Sequence, residues 1–148
     1  MPTLNPWKSY RQITTLTASP GQIILMLYDG ALRSLERSLP GFSLADPAEA
    51  NMTIHNNIQR AQEIIHELNC SLNMEQGGEI AITLHRLYNY FDRRLRESNI
   101  RKEPTGIEEV IQHLTVLRDT WATMLQNQNL PTSALLAAPS VAAAFAAA

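Results

Sequence analysis

The residues that could do chemistry are few, and the most specific pattern among them is Glu63-Ile64-Ile65-His66. A Glu-x-x-His motif supplies ligands to di-iron centres inside four-helix bundles, but such a centre needs two of these motifs and two further inward glutamates. This sequence has one such motif. On a helical wheel centred on Ile65, Glu63 lies about 160° and His66 about 100° from the core. Both are therefore expected at the rim or in solvent, and we predict no metal site.

The other candidate catalytic residues form no recognisable constellation. His55, His85 and His113 each stand singly on a helical segment, with no neighbouring cysteine or carboxylate cluster. The sequence contains neither a nucleophile elbow nor a glycine-rich phosphate loop, and Gly77-Gly78 is expected only to begin a helix. We therefore predict a non-enzymatic protein that needs no cofactor.

Arg94 and Arg118 fall in line with apolar stripes, seven residues after Leu87 and four residues after Leu114. An arginine aligned with a core is costly unless its head is paired or reaches water. Two interpretations remain open. In the favoured one, both stems lie along the edge of a bundle with their heads in water. In the other, the arginines form a buried ion pair or contact a carboxylate of a bound client protein.

The overall composition excludes several classes of partner. The chain has 148 residues, of which 45% are hydrophobic, enough for one domain with a substantial core. The formal net charge of −2 leaves no basic excess for nucleic acid. Cys70 is the single cysteine, as is typical of a protein of the reducing cytosol. No signal peptide pattern and no run of about 18 apolar residues is present, so neither secretion nor membrane insertion is predicted.

Helix start signals divide the chain into four helices. The first begins at Ser19-Pro20-Gly21-Gln22, the second at Asp46-Pro47-Ala48-Glu49 and the fourth at Thr105-Gly106-Ile107-Glu108, each resembling a capping box. The third is expected to follow Gly77-Gly78. Each start precedes apolar residues at three- and four-residue steps, which indicate one buried face per helix.

Four amphipathic helices of about 20 residues with short connections predict an all-α, antiparallel up-down four-helix bundle. The bundle is expected at residues 19–126. Residues 1–18 are expected to form an N-terminal lid segment, and residues 127–148 an Ala-rich flexible tail, whose Pro131 and Pro139 argue against a continuing helix.

Several apolar residues miss the predicted core stripes and are expected to face outward. On wheels centred on one stripe residue, they lie about 100–160° from the core. Aligned apolar residues outside a core are typical of grooves that accept a partner helix. We therefore predict that a client binds at Leu25, Leu32, Ile64, Ile82 and Val116. In the N-terminal segment, Trp7, Tyr10 and Ile13 are spaced by threes and could cover such a groove.

Three stretches of the sequence resemble one known family. They are YRQITTLTASPGQIILMLYDGA from Tyr10 to Ala31, then NIQRAQEIIHELNCSLNMEQGGEIAITLHRLYNYFDRRLRESN, then IEEVIQHLTVLRDTW. TASP followed by MLYDGA, GGEIA and LYxYxxRRL is together similar to the flagellin export chaperones, the FliS family. The resemblance covers all four predicted helices in order.

This resemblance implies a partner and a mechanism. Members of the family bind the disordered C-terminal segment of flagellin, which wraps around the bundle and forms helices in apolar grooves. Premature polymerisation is thereby prevented, and the client is presented to the flagellar type III export apparatus in the bacterial cytosol. In the family an N-terminal segment with a tyrosine matching Tyr10 can lie in the client site. Regulators or co-chaperones of flagellar assembly are further candidate partners.

Two other classes remain as alternatives. One is a structural or regulatory helical adaptor whose client is another export substrate or an anti-sigma factor. The other is a bundle enzyme or metal carrier, which the missing ligands disfavour.

Overall fold

The computed structural model describes residues 19–127. Its helices are α1 (Pro20–Ser38), α2 (Pro47–Cys70), α3 (Met74–Arg101) and α4 (Thr105–Asn127), with a 3-10 helix at Leu39–Ser43 after α1. No strand occurs within the described range. The predicted all-α fold of four helices is confirmed.

Cross-helix contacts show that each helix runs antiparallel to the next. The Trp121 indole Nε1 donates a hydrogen bond to the Gly21 carbonyl at 2.7 Å, which joins the end of α4 to the start of α1. Between α2 and α3, His55 meets Asn99 at 2.9 Å, and further along α2 the Gln62 amide donates to Asp92 at 3.1 Å. The helices contact one another in the cyclic order α1, α2, α3, α4. This is the up-down arrangement of a four-helix bundle.

The core is mainly apolar, with three buried serines (Ser34, Ser38 and Ser98) and a tyrosine pair at its centre. The hydroxyls of Tyr28 on α1 and Tyr88 on α3 are 2.6 Å apart, so their hydrogen bond crosses the bundle diagonally. Burial raises the pKa of both phenols, and both remain neutral over the physiological range. Large apolar side chains from all four helices surround the pair, including Leu35, Ile58, Ile65, Leu68, Phe91, Leu95, Ile107 and Leu114.

The first two helix starts lie where the sequence predicts them. Ser19 accepts a hydrogen bond from the Gln22 backbone N–H at 3.2 Å, and the Gln22 side chain accepts one from the Ser19 N–H, which confirms this capping box. Asp46 caps α2 by accepting from the Ala48 N–H at 3.2 Å. That cap uses the second helical N–H rather than the third, so it differs from the box predicted with Glu49.

The start of α3 differs from the sequence prediction by one turn. Asn73 caps the helix by accepting from the Gln76 N–H at 3.0 Å, and α3 begins at Met74. Gly78 then leaves helical geometry with φ of +52° and ψ of −130°. No atom lies within 4 Å of a hypothetical Cβ at this position, so the backbone angle, and not a lack of space, favours glycine. The long continuous part of α3 begins after this break.

The predicted capping box at Thr105 is wrong, because Thr105 is itself the first residue of α4. The Pro104 carbonyl accepts the first helical bond, from the Glu108 N–H at 2.9 Å. The shift follows from the tight approach to α3. A Cβ added to Gly106 would lie 2.3 Å from Ser98 Oγ and 2.8 Å from the Arg94 carbonyl oxygen.

A helix that crosses a bilayer must be about 20 residues long and mostly apolar. None of the four described helices combines the length and the apolar character that crossing a bilayer demands.

Candidate functional site

Two ion pairs lie on either side of α4. The Arg118 guanidinium Nε is 2.8 Å from the Asp29 carboxylate and joins α4 to α1. On the other side, the Arg94 Nε is 2.8 Å from the Glu109 carboxylate and joins α3 to α4. All four side chains are partly exposed, so both arginine heads lie at the edge of the bundle and are also paired. The structure therefore combines the edge position expected in the first interpretation with the ion pairing expected in the second, although the pairs are only partly buried.

The pair between α3 and α4 belongs to a small hydrogen-bond network. The Tyr90 hydroxyl donates to the other oxygen of Glu109, and Arg94 also reaches Glu97 at 3.0 Å. The hydrogen bond from Tyr90 and then that from Arg94 lower the pKa of the Glu109 carboxyl, while the same bond to Glu109 raises the pKa of Tyr90. Near neutral pH, Glu109 is therefore an anion and the Tyr90 hydroxyl donates to it, so the charges at the contact between α3 and α4 are complementary.

The outer face of α4 between these two pairs carries the exposed carboxylate of Asp119 and, beside it, several side chains of low polarity. Val116 is 63% exposed. The hydroxyls of Thr115, Thr120 and Thr123 donate to the carbonyls four residues earlier, at 2.7, 2.8 and 3.0 Å. Because these hydroxyls are bonded to their own helix, the methyl groups remain available to a partner. We call Thr115, Val116, Thr120 and Thr123 the α4 ridge.

Half-buried apolar side chains lie on both sides of the α4 ridge. Leu25 on α1 packs partly against the core one turn before Asp29. Toward α3, Leu87 is half-buried, and the His113 ring stacks on Phe91 with ring centroids 6.0 Å apart. The α4 ridge is thus flanked on each side by half-buried apolar side chains and by one ion pair.

Two of the predicted client-binding residues do not face outward. Leu32 is 9% exposed and Ile64 is 4% exposed, and both belong to the core. For α1, the buried arc is centred near Ala31 rather than Leu27, which brings Leu32 to about 100° from its centre. For α2, Ile64 packs against α1 at Gly30, where its Cδ1 would lie 3.4 Å from an added Cβ. The expectation that these two side chains are outward is wrong.

The remaining predicted residues fall into two groups. Leu25, Val116, Arg94 and Arg118 lie around α4. Ile82 is 40% exposed but lies on the outer face of α3, so the structure does not bring it to the α4 ridge. The lid residues Trp7, Tyr10 and Ile13 lie outside the described residues, as does the tail beyond Asn127.

Sequence reasoning missed two of the most exposed apolar residues. Met52 on α2 is 63% exposed and Ile100 on α3 is 75% exposed. Each lies thirteen residues from the centre of its wheel, Ile65 or Leu87, and therefore about 140° from the core. The criterion that selected Ile82 would have found both. The backbone hydrogen bonds of the three threonines have no such signal in the sequence.

The Glu63 and His66 side chains are both exposed, in agreement with their wheel positions. His66 Nε2 lies 3.5 Å from Cys70 Sγ. Between residues 19 and 127, no three side chains of His, Cys, Asp or Glu converge on a point where a metal could bind.

Comparison with known proteins gives a consistent family. The family model described as "Flagellar protein FliS" matches residues 3–128. The flagellar secretion chaperone FliS of Bacillus subtilis (strain 168) is 33% identical over 124 residues, which cover 84% of this chain and 89% of the relative. The protein of the same name from Salmonella typhimurium is 35% identical over 119 residues, 77% and 85% of the two chains. The one from Escherichia coli K12 is 30% identical over 128 residues, 83% and 91%. With all four helices inside the matched region, this chain belongs to the FliS family of flagellar secretion chaperones.

Proposed function

We propose that this chain is the export chaperone of a flagellin in the bacterial cytosol. It binds the disordered C-terminal segment of the client in the grooves beside the α4 ridge and prevents premature polymerisation. It then delivers the client to the flagellar type III export apparatus. The relatives named as flagellar secretion chaperones support the general role, and the resemblance of the sequence motifs to flagellin chaperones supports the client.

The observation that carries this proposal is the exposed, weakly polar face of α4. Val116 and the three threonine methyl groups form a ridge, and Leu25 and Leu87 contribute apolar surface on either side. A client helix that presents apolar residues at three- and four-residue steps could pack into either groove. Ile82 lies away from this face, and a client contact there is not part of the proposal.

The energetics of such a complex suit a chaperone that must release its client. A disordered segment loses conformational entropy when it folds onto a partner, so its affinity is low for the area it buries. The ion pairs Arg94–Glu109 and Arg118–Asp29 remain partly hydrated, and pairs of this kind contribute about 0–1 kcal/mol each. We therefore expect apolar contacts to dominate the affinity and the ion pairs to limit the width of the grooves.

Calorimetric titration of the chain with a flagellin C-terminal peptide tests this proposal. Val116→Asp should weaken binding about tenfold, because it replaces an apolar contact with a charge that must lose water. Leu25→Ala, in the other groove, should weaken binding about threefold by removing part of an apolar side chain.

Met52→Asp is the matched control, because Met52 and Val116 are both 63% exposed but lie on different helices. It should leave the affinity unchanged, and all three variants should keep the helical circular dichroism signal. Absence of binding by the unmodified chain would refute the flagellin proposal. Equal weakening by Met52→Asp and Val116→Asp would refute the position of the site.

A further inference from the structure

The second half of α3 concentrates positive charge in a chain that is slightly anionic. Residues 86–102 contain six of the twelve Lys and Arg residues of the sequence but only two carboxylates, Asp92 and Glu97. The rest of the chain therefore carries an excess of negative charge. Such a local excess creates a positive potential that attracts an acidic partner.

Part of this charge is already neutralised within the bundle. Arg94 pairs with Glu109 and Glu97, and Arg96 pairs with Asp92 at 2.6 Å. Arg86, Arg93 and Arg101, by contrast, are exposed and form no ion pair with any residue from 19 to 127.

Of these three, Arg93 has a defined position. Its guanidinium carbon lies 5.4 Å from the centroid of the Tyr90 ring. A cation–π contact of this kind restrains an exposed guanidinium and leaves its N–H donors available to a carboxylate.

Two exposed isoleucines lie on the same line of α3 as the unpaired arginines. Ile82 and Ile100 are eighteen residues apart, which is five complete turns or about 27 Å along the helix. Arg86 and Arg93 lie between them and within about 40° of that line. We call Ile82, Arg86, Arg93 and Ile100 the α3 outer line. It combines an apolar anchor at each end with cations in the middle.

The α3 outer line is separate from both neighbouring helix seams. Tyr90 and Arg94 occupy the side of α3 that faces α4, through their contacts with Glu109. Asp92 occupies the side that faces α2, where it meets Gln62, and Asn89, about 20° from the line, contacts Asn69 on the same side. The outer line lies between these two sides and faces solvent, so it is distinct from the α4 ridge.

At its Ile100 end the line gains further apolar surface from α2. His55 is 2.9 Å from Asn99, the neighbour of Ile100, and Met52 lies one turn before His55. Met52 is therefore exposed at the same end of the α2–α3 face as Ile100.

We propose that the α3 outer line is a docking surface for an acidic amphipathic helix of a second protein. Such a helix would place carboxylates opposite Arg86 and Arg93 and an apolar residue opposite each isoleucine, which requires at least about five turns. Two isolated isoleucines do not make the continuous apolar face that membrane binding needs. A nucleic acid would leave both isoleucines without a role. Because this surface and the α4 ridge share no residue, a client confined to the two sides of α4 leaves it accessible.

The test uses the full chain and a synthetic helical peptide of about 22 residues, long enough to be helical in water. The peptide is rich in Ala and Glu and has two leucines eighteen positions apart. Changes in the NMR chemical shifts of the chain should map the bound peptide to Arg86, Arg93 and Ile100. Added salt should weaken the binding of the peptide. Ile100→Asp should weaken binding about tenfold, and Arg86→Gln with Arg93→Gln about threefold. Val116→Asp should have no effect.

Three results would overturn this proposal. The first is an absence of binding by the acidic peptide, and the second is binding that maps to α4. The third is equal binding by a peptide in which every Glu is replaced by Lys. A different outcome would assign the surface to a membrane instead. In that case the chain would sediment with anionic lipid vesicles and would not bind the peptide, and the Arg86→Gln, Arg93→Gln variant would no longer sediment with the vesicles. None of these measurements involves flagellin, so their failure is distinct from failure of the proposed client function.

Discussion

Tyr28 and Tyr88 place two hydroxyl groups in a core that is mainly apolar. Their 2.6 Å hydrogen bond offsets the cost of removing both groups from water. The arginine ion pairs at the surface contribute less to the free energy of unfolding than this buried hydrogen bond does, because partly exposed ion pairs contribute little to stability. At the residue scale, the buried tyrosine pair is thus the polar interaction on which the fold most depends, and the arginines mainly fix the spacing of helices around α4.

Tyr28→Phe tests this at the centre of the bundle. The Tyr88 hydroxyl, in a side chain that is almost fully buried, would lose its partner, and we expect a loss of about 1–3 kcal/mol in the free energy of unfolding. The double variant Tyr28→Phe, Tyr88→Phe should recover part of that loss, since it leaves no buried hydroxyl from the pair. Urea denaturation of the wild type, the two single variants Tyr28→Phe and Tyr88→Phe, and the double variant gives the coupling energy. Additive losses would show that the hydrogen bond is not important.

Among the elements, start signals and apolar stripes predicted the helices well, and their errors have local causes. The break at Gly78 and the shifted start at Thr105 depend on a backbone angle and on the approach of Gly106 to α3, neither of which periodicity encodes. On α3, the stripe was drawn through Leu87, whereas Tyr88 is the buried residue. A wheel gives the period of a helix, but the centre of its buried arc depends on where its two neighbours lie and how closely each packs.

The same limit explains what could be predicted of the candidate site. The α4 wheel places Val116 outward, in agreement with its exposure, whereas the α1 wheel misplaces Leu32 because α1 packs more extensively against α2 than against α4. The two sides of the α4 ridge carry pairs such as Arg118–Asp29, whose members are 89 residues apart in sequence. Contacts at that separation cannot be obtained from a single helical pattern.

Leu32→Asp and Val116→Asp should therefore behave oppositely in a stability measurement. The first places a carboxylate in the core and removes a packed leucine, so we expect a loss of about 4 kcal/mol or failure to fold. The second changes an exposed residue and should alter the free energy of unfolding by less than about 0.5 kcal/mol. Thermal denaturation followed by circular dichroism compares them. Similar melting temperatures would show that Leu32 is not a core residue.

For the whole molecule, the described bundle supports two separate surfaces on opposite sides of the α3–α4 seam. The α4 ridge is weakly polar and lies between two ion pairs, whereas the α3 outer line carries unpaired arginines between two isoleucines. An apolar surface favours a client that buries hydrocarbon, and a basic surface favours an acidic partner. A chaperone with both could hold its client and a second protein at once.

Residues 1–18 can also affect the affinity of the whole molecule for its client, because a segment that covers the client site would compete with the client. Trp7, Tyr10 and Ile13 have the apolar character and spacing for that role. If the segment is a competing lid, deleting residues 1–16 should leave the affinity for a flagellin C-terminal peptide unchanged or raise it, since the free site no longer has to be uncovered.

Calorimetry on the deleted and full chains measures the difference, and Trp7→Ala with Tyr10→Ala in the full chain is the matched control for a deletion that perturbs α1. Both changes should shift the affinity in the same direction. A large loss of affinity in both would show that the segment contributes contacts to the bound client. In that case the site would extend beyond α4 to the N-terminal segment, and the lid would be excluded.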